Sequence, residues 1–158
     1  MLKEIRLRAL LTDPDAFGSS YQREATSIDE EWEMRAVRAA EGDAQFLALA
    51  ESNGEIVGMV GSYQPDDRPS TRELYGMWVA PEFRSTGISS LLVAAVTQWG
   101  IQAEAEGIDL WVVVDNRRAR GLYLTAGFVD TGLSKPLQSN HSLTETRMVM
   151  ELTGTQQA

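Results

Sequence analysis

The chain has 158 residues, of which 43% are hydrophobic and 23% are charged, as in an ordinary globular domain rather than a disordered or membrane-spanning chain. Fourteen Lys and Arg against 23 Asp and Glu give a net charge of -9, which argues against nucleic-acid binding and favours a cationic partner. The absence of cysteine and the single histidine exclude disulfides and thiolate metal sites, so catalysis is expected to proceed without a metal.

Nothing in the sequence indicates export or a membrane location. No apolar run reaches the roughly 18 residues of a membrane span, and the first residues lack the charged-then-apolar pattern of an export signal. No repeat or long linker divides the chain. We therefore expect a single cytoplasmic domain over residues 1–158, with no membrane partner.

The N-terminal part of the chain is predicted to be helical. One helix is expected over Leu2–Leu11 and a second over about Ile28–Ala40. Ser27 or Asp29 is the expected N-cap of the second helix, and Gly42 the residue that ends it.

A hairpin and a central strand are predicted next. The apolar runs Gln45–Glu51 and Glu55–Tyr63 flank Asn53-Gly54, a dipeptide typical of tight β-hairpin turns. The following run, Arg72–Ala80, is apolar at successive positions, as in a strand covered on both faces. We expect this strand at the centre of the sheet.

A parallel crossover follows the central strand. Apolar residues recur at helical spacing from Ile88 to Ala103, and Gly107 is expected to end that helix. Leu110–Val114 is a second buried strand, so strand, helix and strand form a right-handed parallel unit.

The last third of the chain is predicted to complete the sheet. A helix is expected over Arg117–Ala126, ended by Gly127, followed by strands over about Phe128–Leu133 and Thr144–Leu152. The predicted fold class is α/β, or α+β if the antiparallel hairpins decide, with a mixed sheet and helices on both faces.

The start of the long helix is a candidate anion site. Its main-chain N–H groups have no acceptor inside the helix, Gly87 permits close approach of a ligand, and Arg84 adds a positive charge. This arrangement suits a pyrophosphate, although an ordinary solvated helix start capped by Thr86 gives the same pattern. The candidate binding residues are Arg84, Ser85, Thr86, Gly87, Ile88 and Ser89.

These residues resemble a known motif. In the Gcn5-related N-acetyltransferase (GNAT) superfamily, acetyl-coenzyme A is bound by Arg or Gln, two residues, Gly, one residue, and Gly or Ala. Arg84 and Gly87 match this motif, and Ser89 replaces its last small residue. The preceding Trp78–Phe83 resembles the family's lead-in segment. A second motif matches at Asn116, Ala119, Tyr123, Gly127 and Phe128.

The resemblance implies a fold, a cosubstrate and an activity. Two neighbouring strands, ending at Val79 and Val114, are expected to splay apart and admit the pantetheine arm of acetyl-CoA. Main-chain groups of Met77, Trp78 and Val79 are expected to pair with that arm. The implied activity is direct acetyl transfer to a primary amine of a small molecule or a peptide. The alternative is a catalytically inactive acyl-CoA sensor that regulates a partner.

The resemblance also implies catalytic roles for two residues. Glu73 lies eleven residues before Arg84, at the offset of the catalytic glutamate in histone-acetylating members, and is the candidate base. Many relatives use ordered water instead, and Glu73 also fits a solvated strand-end carboxylate. Tyr123 is expected beside the thioester sulfur as the proton donor to the departing thiolate, although a tyrosine packed in the core is the alternative.

Three further cofactor contacts are expected. The side-chain amide of Asn116 should lie near the pantetheine, and Val79 should offer its N–H group to the developing oxyanion. Arg118, in a cluster with Arg117 and Arg120, is the candidate for the phosphate end of the cofactor, although such clusters often only solvate a face.

The acceptor cannot be identified from the sequence, because the loops expected from about Asp13 to Asp29 and from Ser134 to Ser142, which should shape its pocket, contain no motif. Family members usually begin with a strand that borders the first hairpin, and here the sequence starts with the first helix. The edge of Gln45–Glu51 should then be covered by a partner chain, as in a homodimer, by a refolded N-terminal segment, or by residues upstream of the given start.

Overall fold

The computed structural model describes residues 1–152. Before the sheet the chain forms three helices and a 3₁₀ turn: α1 (Leu2–Thr12), the turn Pro14–Ala16, α2 (Tyr21–Glu24) and α3 (Asp29–Glu41). The two longer helices match the predicted ones, although α3 has Ile28 as its N-cap and no side-chain cap bond. The short helix α2, capped by Ser20, was not predicted.

Six strands form one mixed sheet in the order β1-β2-β3-β4-β6-β5. The pair β3–β4 is parallel, and the other neighbours are antiparallel. The predicted fold class is therefore confirmed. The strands are β1 (Gln45–Ser52), β2 (Glu55–Tyr63), β3 (Thr71–Val79), β4 (Gly107–Val113), β5 (Val129–Leu137) and β6 (Asn140–Glu151), with α4 (Ile88–Gln102) and α5 (Arg117–Ala126) between them.

Helices cover both faces of the sheet and bury two apolar cores. On one face, Leu92 and Val96 of α4 and Tyr123 of α5 pack with strand residues. On the other, Ile5 and Leu10 of α1 pack with residues of β2 and β3. We call these the α4 face and the α1 face.

Turn chemistry fixes two predicted boundaries. Asn53 and Gly54 both have positive φ, 50° and 81°, as a two-residue hairpin turn of the primed type requires. Gly127 follows α5 with a φ of 109°, the left-handed conformation typical of a helix end.

The predicted role of Gly107 is wrong. Helix α4 ends at Gln102, and Glu104 supplies the left-handed residue that turns the chain, with a φ of 54°. Gly107 instead begins β4, where an added Cβ would lie 2.9 Å from the main-chain oxygen of Met150. Glycine is needed there for close strand packing.

The segment Ser134–Ser142 is not a loop, because β5 and β6 form a hairpin with a tight turn at Gln138-Ser139. Strand β5 is exposed along nearly its whole length. It therefore lacks the alternating apolar face by which a strand is recognised in a sequence. Ser139 donates a hydrogen bond to the Phe17 carbonyl, which ties this turn to the segment after α1.

Strand β1 lies at one end of the sheet. Helix α1 packs on the α1 face, and α3, also from the N-terminal segment, contacts β1. Within residues 1–152, no strand pairs with the outer side of β1. Coverage by a second copy of the chain stays a prediction.

A single domain over residues 1–158 also stays a prediction, because residues 153–158 lie outside the described part. No helix in residues 1–152 is both long and apolar enough to cross a membrane.

Candidate active site

A gap opens between the two parallel strands. Pairing of β3 with β4 runs from Thr71–Gly107 to Leu74–Leu110 and is not continued further within the described residues. The later halves of both strands, Tyr75–Val79 and Trp111–Val113, therefore diverge. The splayed strand pair is as expected.

A β-bulge in β3 accounts for the divergence. The register of β2 with β3 shifts between Met59 and Gly61, which leaves one extra residue on β3. Gly76 lies in this stretch with a φ of 63°, a conformation that favours glycine. A bulge bends its strand and increases the local twist, and this one follows the last β3–β4 pair directly. Sequence analysis missed Gly76, although an isolated glycine in an apolar strand is the usual sign of a bulge.

Main-chain groups of β3 face the gap. The Ala80 amide donates to the Val57 carbonyl at 2.8 Å, which makes these two residues a hydrogen-bonded pair. Such pairs alternate along an antiparallel ladder, so the polar groups of Val79 turn away from β2. By the same alternation those of Met77 face the gap as well.

A cleft of about 410 Å³ lies beside the gap, between β3, the start of α4 and helix α5. Most of the residues predicted to bind the cofactor line it: Met77, Trp78, Val79, Arg84, Ser85, Gly87, Ser89, Asn116 and Arg118. Thr86 and Ile88 are not on its wall. The Thr86 hydroxyl instead donates to the Phe83 carbonyl, and Ile88 packs against the core of the α4 face. We call this space the cofactor cleft.

The start of α4 presents free amides to the cofactor cleft. Within residues 1–152, the N–H groups of Ser85–Ser90 donate no main-chain hydrogen bond. Gly87, not Thr86, is the N-cap residue, with a φ of 91° and no atom within 4 Å of an added Cβ. The open space and the unpaired donors fit a bound pyrophosphate.

Arg84 is held by the protein rather than presented freely. Its Nε donates to the Val79 carbonyl at 2.9 Å, and its Nη2 donates to Asp13 at 2.5 Å. Asp13 also accepts from the Trp78 indole at 2.7 Å, so it joins the end of α1 to the cofactor cleft. A phosphate contact by Arg84 stays a prediction, with Nη1 as the nitrogen free of these bonds.

Two other expected contacts sit at the start of α5. Asn116 is the N-cap, and its Oδ1 accepts from the Ala119 amide at 3.2 Å, which leaves the amide nitrogen for a ligand. Arg118 lines the cofactor cleft and has no ion pair among residues 1–152, whereas Arg120 is bound to Asp130 at 3.1 Å. Of this arginine cluster, Arg118 is therefore suited to a phosphate contact.

Tyr123 is buried, with 5% of its surface exposed, and its ring packs edge-on against Phe128 at 5.7 Å. It packs in the core of the α4 face and lines neither the cofactor cleft nor the cleft on the α1 face, so its place beside the thioester sulfur stays a prediction. Its hydroxyl makes no side-chain hydrogen bond within residues 1–152, and burial raises its pKa well above the ordinary value of a phenol. The phenol keeps its proton at neutral pH, and the raised pKa makes it a weaker acid toward a thiolate.

Glu73 is already engaged by neighbouring side chains. Its Oε2 accepts from the Tyr63 hydroxyl at 2.7 Å and from Arg68 at 3.2 Å. Arg68 also pairs with the buried Asp109, to which Arg147 donates at 2.6 Å. Glu73 is thus part of an ion-pair network, and its catalytic role stays a prediction.

A second cleft, of about 550 Å³, lies on the α1 face beside the same gap. Both segments expected to shape the acceptor pocket contribute to it, through Phe17 on one side and Lys135 on the other. Glu73 and Tyr75 come from β3, and Glu145 from β6. We call it the acceptor cleft.

Sequence analysis missed Glu145. It is half-buried, and within residues 1–152 its side chain makes no ion pair or hydrogen bond. Burial raises its pKa, the charge of Glu73 raises it further, and Lys135 opposes both effects. Its position depends on the strand register of β6, which places Glu145 opposite Val113 of β4 and has no local signal in the sequence.

A family model described as "Acetyltransferase (GNAT) family" matches residues 7–128. The chain belongs to this family. It is 31% identical over 85 residues to an uncharacterized N-acetyltransferase of Archaeoglobus fulgidus, a match that covers 51% of this chain and 58% of that protein. In the first curated relatives the match spans between 35% and 64% of their length.

Solved GNAT structures share the fold. An acetyltransferase of Streptococcus pneumoniae superposes with a TM-score of 0.80 at 21% identity, covering 96% of this chain and 92% of its own. The Salmonella typhimurium protein yncA, a putative acetyltransferase solved with acetyl-CoA, superposes with a TM-score of 0.77 at 18% identity, covering 95% and 86%. This GNAT chain therefore has the fold to which its two motifs point.

Proposed function

We propose that this GNAT protein is an N-acetyltransferase that moves the acetyl group of acetyl-CoA to a primary amine. The gap between β3 and β4, with the free amides at Gly87 at its side, carries the proposal. Acetyl-CoA supplies the acetyl group as a thioester. The acetyl-CoA in the yncA structure supports the choice of cosubstrate.

The chain's own groups suit each part of that cosubstrate. The amides of Ser85–Ser90 hold the pyrophosphate, and Arg118 adds a positive charge. The outward main-chain groups of Met77 and the N–H of Val79 pair with the pantetheine amides in the manner of an added strand, while the Val79 carbonyl accepts from Arg84. The Val79 N–H then also lies where it can stabilise negative charge on the reacting carbonyl oxygen.

The acceptor amine must lose a proton before it attacks. An alkylammonium with a pKa near 10.4 is protonated at pH 7, at a free-energy cost of about 4.6 kcal/mol. Glu73 is proposed as the base, directly or through an ordered water molecule, with its Oε1 free of the bonds to Tyr63 and Arg68. Tyr123 is proposed to protonate the departing thiolate.

Thiol release with a panel of amines tests the proposal. Because the chain has no cysteine, every free thiol comes from the cosubstrate. We expect turnover with at least one amine. The Tyr123→Phe variant should lose about 100-fold or more in kcat with little change in its affinity for CoA.

Tyr21→Phe is the matched control, because Tyr21 packs beside the core of the α1 face and should tolerate loss of its hydroxyl. If CoA binds while no amine in the panel is turned over, the inactive sensor is the better description. If CoA does not bind, both descriptions are wrong.

A further inference from the structure

We propose that the acceptor carries a negatively charged group close to its amino group, as an amino acid does. It is bound in the acceptor cleft between a guanidinium pole, formed by Arg6 and Arg35, and a carboxylate pole, formed by Glu73 and Glu145. This inference rests on the proposed function, because it names the class of amine that the enzyme acetylates.

The guanidinium pole has more positive than negative charge. Arg6 donates to both carboxylate oxygens of Glu24, at 2.8 and 3.1 Å, and Arg35 approaches the same carboxylate at 3.5 Å. Glu24 is buried, which opposes its ionisation, but the hydrogen bond and charge of Arg6 hold its pKa below the ordinary value. One carboxylate thus faces two guanidinium groups, and one positive charge is left without a partner.

Aromatic rings hold both guanidinium groups in place. Arg6 lies over the ring of Phe17 at 4.8 Å, and Arg35 lies over the ring of Trp32 at 4.5 Å. The Arg35 side chain is 48% exposed and lines the acceptor cleft, so part of its guanidinium group is accessible to a ligand there. A planar, oriented guanidinium with free N–H groups is a typical carboxylate receptor.

At the carboxylate pole, Glu73 is paired with Arg68, and Glu145 is the carboxylate that lacks an ion pair within residues 1–152. The nearby Lys135 lies instead over the ring of Trp111, 4.1 Å from its centre. Glu73 and Glu145 both line the acceptor cleft, and the charge of Glu73 raises the pKa of Glu145 while Lys135 lowers it. An ammonium group between them would relieve the repulsion between the two carboxylates.

The position of Tyr75 relates the two poles to the gap. Tyr75 follows Leu74, the last residue of β3 that pairs with β4, and lines the acceptor cleft. Tyr75 lines the same cleft as Arg6 and Arg35, and a Cβ added at the neighbouring Gly76 would lie 3.4 Å from Nη1 of Arg6. A purely cationic amine would meet an uncompensated positive charge here, whereas an amino acid satisfies both poles. The cleft of about 550 Å³ is of a size typical for small ligands.

Matched acceptors test this inference. For each of alanine, leucine, methionine and phenylalanine, the free amino acid is compared with its amide and with the amine that lacks the carboxylate, and spermidine serves as a polycation. We expect kcat/KM for at least one amino acid to exceed that of both analogues by about tenfold or more, as a charge-assisted hydrogen bond would give. Turnover of analogues or spermidine without such a preference overturns the inference and leaves the proposed function standing.

A variant locates the preference. Arg35→Gln should reduce the ratio between amino acid and amide toward one. Arg38→Gln is the matched control, because Arg38 lies on the same helix but does not line the acceptor cleft. A ratio that Arg35→Gln leaves intact overturns the assignment of the guanidinium pole.

Binding gives a readout independent of turnover. The melting temperature of the CoA-loaded protein should rise with the preferred amino acid and not with its decarboxylated amine. Amino-acid binding without acetylation of any amine would support the inference while the proposed function fails. If the protein neither binds an amino acid nor acetylates any amine, both the inference and the proposed function are overturned.

Discussion

Gly87 is the position where a single methyl group should separate cofactor binding from folding. Its φ of 91° is left-handed, and the space beyond its Cα toward the cofactor cleft is open. In the Gly87→Ala variant, the new Cβ adds backbone strain of about 1–2 kcal/mol. It also occupies the space through which a pyrophosphate approaches the amides.

The loss of affinity of Gly87→Ala for CoA depends on how many hydrogen bonds to the pyrophosphate the methyl group prevents. If the methyl group costs one charge-assisted hydrogen bond, worth about 1.5–3 kcal/mol, the Kd for CoA rises roughly 10- to 100-fold. At a ligand concentration 100 times the wild-type Kd, stabilisation by CoA falls from about 2.7 kcal/mol to between about 1.4 and 0.4 kcal/mol.

Thermal melting with and without CoA measures both effects. Gly132→Ala is the matched control, because Gly132 also has a positive φ, 76°, and open space around it, but lies in β5 away from the cofactor cleft. Both variants should lose similar stability without ligand. The role of Gly87 would be refuted if CoA stabilised Gly87→Ala as much as the wild type. It would also be refuted if Gly132→Ala lost as much of the stabilisation by CoA as Gly87→Ala does.

Three further predictions concern the bulge and the acceptor cleft. Gly76→Ala should lower the free energy of unfolding by about 1–2 kcal/mol through strain at its φ of 63°. The control Gly121→Ala, inside α5 with open space around it, should raise that free energy by about 0.5–1 kcal/mol, and urea unfolding measures both values. Because the pKa of Glu24 is held below its ordinary value near 4.3, its contribution to stability is present above that pH and is lost as the pH falls through the folded-state pKa. Glu24→Gln should therefore cost about 1–2 kcal/mol at pH 7 and progressively less as the pH is lowered below about 4.3, and a loss that does not change with pH contradicts the ion pair. The pKa of Glu145 is raised by burial and by Glu73. The kcat/KM for the acceptor should therefore fall on acidification, with its midpoint at a pH above the ordinary value of about 4.3. Because Glu145 is proposed to bind the ammonium group, Glu145→Gln should remove that pH dependence.

Local signals in the sequence predicted most of the fold. The Asn53-Gly54 turn, the helix end at Gly127 and the spacing of apolar residues in α4 each depend on a few neighbouring residues, and the structure confirms them. The boundary after α4 was missed because Glu104, rather than a glycine, takes the left-handed conformation. Strand β5 was predicted only as far as Leu133, because the exposed side chains of its continuation to Leu137 follow no apolar pattern.

The cofactor cleft was more predictable than the acceptor cleft. The main-chain geometry at Gly87 follows from one short segment, which carries a recognisable motif. The pairing of Glu24 with Arg6 and the position of Glu145 instead depend on how distant elements pack and on the register of β6. Neither leaves a local pattern in the sequence.

The main-chain groups in the gap between β3 and β4 carry the whole account, and amide hydrogen exchange measures them directly. In the free protein, the amides of Met77 and Val79 should exchange faster than that of Leu74, which lies in the paired part of β3. Saturating CoA should slow exchange at Met77 and Val79 and leave β1 unchanged. Protection of these two amides without CoA, or exchange that CoA does not alter, would contradict the proposed mode of cofactor binding.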